Sequence, residues 1–263
     1  MRLSIWNNPV TAPVLEGLKD AFGDSVSGAT RNQVLVDLKS GLSDVALIPT
    51  DIALSSSDEF DLLPAVAISS WNNPFAWLKV ETGLSTKALK IIHSEDGKLS
   101  ALLSAIVLQE HYGISATLSK QDEMPQGMRD YEILSVADAS DVEADTDPVT
   151  LDLGQEWFEM ANYPFVWALF AMRKGEADNA TIEAIRDAVI FIDLNRIELV
   201  SKWKDDRAME SYFLNDLRLR LDDLAVASLV ELSEHLYYVG ATTDLQPVVF
   251  ESLPDESEEE KPS

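Results

Sequence analysis

One tetrapeptide occurs twice among the residues able to do chemistry: Trp6-Asn7-Asn8-Pro9 returns as Trp71-Asn72-Asn73-Pro74. Each copy pairs an aromatic face with two amides that donate and accept hydrogen bonds, a combination suited to a ring-shaped ligand with polar substituents. The competing account is local, because asparagine side chains bond their own backbone and set turns. Other chemistry is sparse. Cysteine is absent, which removes thiolate catalysis, disulfides and Cys-ligated zinc or iron–sulfur clusters. The three histidines, His93, His111 and His235, stand far apart in no ligand spacing, so no metal centre is expected. His93 beside Ser94 has the proton affinity of a general base near neutral pH. No nucleophile and orienting acid accompany it in a recognisable spacing, and a histidine ending a buried strand is more often structural. Glu95 and Asp96 suit the positive end of a helix dipole better than an acid–base role.

The elements that must hold these residues follow from periodicity. A strand over 2–6 leads into the first tetrapeptide. The helix over 10–22 has Thr11 as a candidate N-cap, Pro13 in its first turn and Val14, Leu15, Leu18 and Phe22 on one face. A helix over 31–41 and a buried strand over 44–49 come next, and strands over 60–70 and 75–80 flank the second tetrapeptide. Strands over 88–93, 116–120 and 131–137 surround an apolar helix over 97–112, with a polar loop at 121–129. Residues 138–147 are acidic and read as an exposed connection. In the stretch 150–175, Asp152 caps a helix whose face carries Trp157, Phe158 and Met160, and Tyr163-Pro164 ends it. The run 165–172 is continuously apolar, as a buried central strand is; a half-exposed strand would alternate. Helical periodicity fills 179–238, and 247–250 reads as a last strand.

Strands mixed with helices, one excursion and a helical return predict an α/β fold of two lobes around a cleft. The boundaries are 1–78 with 147–250 for the first lobe and 79–146 for the second, with 251–263 a disordered acidic tail. The chain has 263 residues, 46% of them hydrophobic, enough for a real core. Its 20 basic residues face 46 acidic ones, a formal net charge of -26. Such a charge repels nucleic acid and anionic membrane surfaces, so neither is expected as a partner. The N-terminus lacks the pattern of a signal peptide and no segment suits a membrane span, which predicts a cytoplasmic protein. Oligomeric state is not legible.

Several segments, in order, carry a family resemblance. They are the opening Met1-Arg2-Leu3-Ser4 through Thr11-Ala12-Pro13-Val14 to Gly17-Leu18, Asp44-Val45-Ala46-Leu47-Ile48-Pro49, Ile68-Ser69-Ser70 and Ala137-Asp138-Ala139. With them go the stretch 150–175, Tyr212-Phe213-Leu214 and the region 219–240. Together they resemble the menaquinone-biosynthesis family that contains chorismate dehydratase. The resemblance implies a fold like that of the type-two periplasmic binding proteins. It also implies a lyase that removes water from chorismate to leave an enolpyruvyl-oxybenzoate. Loss of water aromatises the ring, so no cofactor or metal is implied, and the substrate's own side-chain carboxylate serves as base while the protein orients it. A substrate with two carboxylates needs helix N-termini, hydroxyls, amides or a cation. The candidates at predicted strand ends are Asn8, Thr11, Ser69, Ser70, Asn72, Ser94, Lys98 and Ser100, with Lys98 the one cation in that set.

The chain departs from its relatives where chemistry would sit. Val10 stands at the position of the family's asparagine before Thr-Ala-Pro, and the 94–100 segment places Glu95 and Asp96 where a substrate carboxylate would bind. A non-catalytic small-molecule-binding homologue is therefore the alternative to the lyase.

Overall fold

The computed structural model of the protein describes residues 1–56, 58–81, 83–84, 87–137, 147–245 and 247–251. Of the acidic connection expected over 138–147 and the disordered tail expected over 251–263, residues 138–146 and 252–263 lie outside these residues. Glu251, read as the start of the tail, instead donates its backbone N–H to the Leu62 carbonyl at 3.0 Å. Strand β1 (Leu3–Trp6) is buried throughout, and helix α1 (Ala12–Phe22) follows after a short 3-10 turn over Pro9–Thr11. The helix starts at Ala12, later than its periodicity suggests, because Asn8 and Thr11 close a reciprocal capping box on the 3-10 turn. Strand β2 (Val26–Ala29) has no strand signal in the sequence, since only Val26 of its residues is buried. Then come α2 (Arg31–Ser40), β3 (Val45–Pro49), α3 (Thr50–Ser55) and the long β4 (Phe60–Ser70).

From there β5 (Trp77–Val80) leads to β6 (Ala88–His93), α4 (Lys98–Tyr112), β7 (Ser115–Lys120) and β8 (Ile133–Ala137). The return runs through β9 (Val149–Asp152), α5 (Leu153–Ala161) and β10 (Phe165–Arg173). Helices α6 (Asn179–Leu194), α7 (Arg196–Leu199) and α8 (Arg207–Ser211), the short β11 (Leu217–Arg218) and α9 (Asp223–Tyr238) complete the order.

A six-stranded sheet runs β11-β4-β10-β3-β1-β2, and a three-stranded sheet runs β7-β6-β8. The two are joined by an antiparallel pair, β5 with β9, registered from Trp77 opposite Asp152 to Val80 opposite Val149. One strand of that pair leaves the large sheet and the other returns to it. Strands β1, β2 and β3 are parallel, and β10 is antiparallel to both β3 and β4. Strand β4 therefore runs with the first three, and the carboxyl ends of all four meet on one edge of the sheet. Ligands of open α/β sheets bind outside such an edge.

The apolar run read as central is β10, buried from Phe165 to Met172. Trp157 of α5, Phe165 and Trp167 pack edge to face, with ring centroids 5.4 and 4.5 Å apart. Both buried indoles have a partner: Trp157 Nε1 donates to Ser228 Oγ at 3.1 Å and Trp167 Nε1 to Ser70 Oγ at 2.8 Å. Satisfying those polar ends is what lets such large side chains be buried. Among the described residues no helix is long and apolar enough to cross a membrane.

Candidate functional site

The edge where the four strands end is built from turns with unspent polar groups. After β1 the chain presents Asn7, whose exposed side chain has no hydrogen-bond partner among the described residues. Trp6 Nε1, Thr50 Oγ1 and Ser69 Oγ, at the ends of β1, β3 and β4, are buried and likewise without partners among the described residues. Buried polar atoms are nearly always paired. A cavity of about 640 Å³ opens at this edge, and none of the three lines it. Asn7, Asn8, Pro9 and Thr30 line it from the large sheet, and Asp96, Arg129, Asp130 and Tyr131 face them from the smaller one. Arg129 and Tyr131 bond side chain to side chain, with the guanidinium 5.8 Å from the ring centroid, so the cation is held over an aromatic face.

The residues expected from the sequence are not gathered in one place. Asn8 lines this cavity but spends its Oδ1 on Val10 N at 3.1 Å. Thr11 is wholly buried and donates to the Trp6 carbonyl. Ser70 accepts from Trp167, whereas the buried Ser69 hydroxyl is one of the orphans. Asn72 is exposed and donates to Asp216 Oδ1 at 3.3 Å. Ser94 donates to the Asp130 carbonyl and accepts from Gly97 N at 3.3 Å. Lys98, the first residue of α4, lines a second cavity of about 840 Å³ together with Arg31, Asp51 and Glu95, and Ser100 is half-buried further along the same helix. His93 is buried, its Nδ1 2.7 Å from the Ser94 carbonyl.

The repeated tetrapeptide has a local explanation. In each copy the second asparagine accepts from the backbone N–H two residues on: Asn8 from Val10 at 3.1 Å, and Asn73 from Phe75 at 3.0 Å. These are equivalent Asx turns at the carboxyl ends of parallel strands. None of residues 71–74 lines the 640 Å³ cavity.

Arg31, Arg129 and Tyr131 are absent from the sequence-derived set. Arg31 is only 2% exposed at the first position of α2. Its Nη1 donates to Asp51 Oδ1 at 2.8 Å, Nη2 pairs with Asp51 Oδ2, and Nε lies 3.5 Å from Glu95 Oε1. Its backbone N–H donates to Asp96 Oδ1 at 2.7 Å. Glu95 in turn bridges Lys120 at 2.6 Å, and that bond, aided by the charges of Arg31 and Lys98, holds its carboxyl below the usual range. The signal for this arrangement was a basic residue directly after a threonine N-cap in a chain with few bases, a weak one.

Among the described residues one group has donor atoms close enough to surround a cation: His111, Glu156 and Glu159, within 4.8 Å of one another. Hydrogen bonds already occupy it, since Glu156 Oε2 takes Tyr112 OH at 2.8 Å and lies 3.1 Å from His111 Nδ1. None of the three lines the cavity at the strand ends.

Comparison with known proteins agrees with this architecture. The profile of a family described as menaquinone biosynthesis matches residues 1–238. No curated protein matches the chain. Among solved structures, the alkanesulfonate-binding protein SsuA of Xanthomonas axonopodis pv. citri, bound to MOPS, is 12% identical with a TM-score of 0.60, covering 94% of this chain and 96% of that one. A protein of Archaeoglobus fulgidus is 15% identical with a TM-score of 0.59, over 91% and 97% of the two chains. A Candida albicans gene product described as having the generic periplasmic binding protein fold is 10% identical with a TM-score of 0.57, over 97% and 98%. At these identities the likeness shows the fold: two α/β lobes around a cleft, as the sequence led us to expect.

Proposed function

The chain belongs to the menaquinone-biosynthesis family, and on that premise we propose that it is a lyase of the chorismate dehydratase type working in the crevice at the strand ends. The lobes of this reading are 1–78 with 147–250 and 79–146, hinged at the β5–β9 pair. The supporting observation is the cavity of about 640 Å³ that brings the exposed Asn7 amide from one lobe opposite Arg129 and Tyr131 from the other. An amide, a cation and a phenol on opposing walls suit a compact ring bearing carboxylates. Eliminating water from such a ring yields an aromatic product, so the protein need only hold the substrate with its side-chain carboxylate near the proton that leaves. Orientation and cleft closure supply that kind of catalysis. Asp96, Asp130 and Asp206 also line the cavity, so Arg129 carries most of the attraction for an anion.

One observation favours a binder that has given up the chemistry. Val10, standing where the family's asparagine is expected, is 2% exposed, and its carbonyl accepts from Tyr212 OH at 3.2 Å. The side chain is part of the core and offers the crevice no polar group. Purified protein incubated with chorismate decides between the two: appearance of an aromatic acid one water lighter, followed by absorbance and mass, is the expected result. Saturable binding of chorismate without turnover would transfer the assignment to a non-catalytic binder, and neither turnover nor binding would sink both.

A further inference from the structure

The Arg31 cluster joins the two lobes through a buried charge. A guanidinium out of water is tolerated only when carboxylates and hydrogen bonds replace its hydration. Asp51, on α3 of the same lobe, satisfies two of its nitrogens as a fork. The remaining contacts cross the crevice: Glu95 approaches Nε at 3.5 Å, and Asp96 takes the Arg31 backbone N–H at 2.7 Å. That N–H is the first of α2 and has no acceptor within its own helix. Arg31 and Glu95 line the 840 Å³ cavity while Asp96 lines the 640 Å³ one, so the cluster is shared by the walls of both.

We infer that Glu95 and Asp96 form a latch that holds the lobes together on Arg31 and slows the entry of an organic anion into the crevice. The anion is named on the strength of the function proposed above; the latch stands on the geometry alone. Release leaves no buried charge unpaired. Arg31 keeps Asp51, Glu95 keeps Lys120 at 2.6 Å, and Asp96 is already partly exposed. The contact is therefore reversible where breaking Arg31 from Asp51 would strand a charge.

The test is the double variant Glu95→Gln, Asp96→Ala, whose two sites are half-exposed and leave the core intact. Small-angle scattering without ligand should give a larger radius of gyration than the native chain. Stopped-flow mixing with chorismate should give association faster by about tenfold, the effect of about 1.4 kcal/mol removed from the closed state. An unchanged radius of gyration overturns the latch whatever chorismate does. Expansion together with no chorismate binding by either protein upholds the latch and removes the function proposed above. Circular dichroism matching the native spectrum certifies that expansion is not unfolding.

Discussion

The two neighbouring asparagines after β1 divide the work between fold and ligand. Asn8 is buried with its Oδ1 on Val10 N, while Asn7 is exposed, unpaired among the described residues and on the cavity wall. Asn8→Ala removes a cap and should cost about 1 kcal/mol in urea unfolding. Asn7→Ala should leave the urea midpoint in place and weaken chorismate binding by roughly tenfold, the worth of one hydrogen bond to a charged group. The reverse pattern would show that the amide facing the ligand has been misassigned. At this scale the sequence exposes residue types but not their commitments. Thr11, Ser70 and Ser94 are hydroxyls at strand ends, as expected, yet each donates to or accepts from a local or core partner. Arg31 looks like an ordinary first helical residue, because the carboxylates that bury it arrive from positions 51, 95 and 96. Such non-local pairing leaves no periodic trace.

Helix α5 and strand β10 were the most legible elements because each carries its own signal: an acid cap, an amphipathic face, a proline break and an uninterrupted apolar run. Strands β2, β9 and β11 were not legible, since each is short and acquires its state from a neighbour's unpaired backbone. Asp152 shows how an element boundary can do more than its sequence suggests. It accepts from Gly154 N at 2.8 Å and Gln155 N at 3.1 Å to cap α5, and from Asn73 N at 2.9 Å to tie that helix to the turn after β4. Burial nonetheless pushes its carboxyl above the usual range, with Asp216 adding to the effect against those three donors. A neutral acceptor of the same shape should thus be nearly as good as the carboxylate. Asp152→Ala is expected to lose about 2 kcal/mol by urea denaturation and Asp152→Asn less than half of that. Equal losses would mean that the charge, and not the acceptor geometry, secures the junction.

Across the whole molecule, 46 acidic residues against 20 basic ones set two kinds of electrostatics in competition. Exposed pairs such as Lys39 with Glu59 and Lys79 with Glu81 are each worth about 0–1 kcal/mol and fade with salt. The surplus of negative charge repels itself over the surface, and that repulsion also fades once the screening length shrinks from about 10 Å at 0.1 M to about 3 Å at 1 M. The buried Arg31–Asp51 pair is screened far less, because water and ions are kept from it. With a net charge of -26, the many unpaired acids outweigh the few exposed bridges, so screening should be stabilising in sum. The urea midpoint is therefore expected to rise steadily between 0.05 and 1 M sodium chloride, with sodium and potassium chloride equivalent if simple screening is the cause. A midpoint that falls over this range would mean that the surface bridges, and not the uncompensated carboxylates, govern how this acidic chain stays folded.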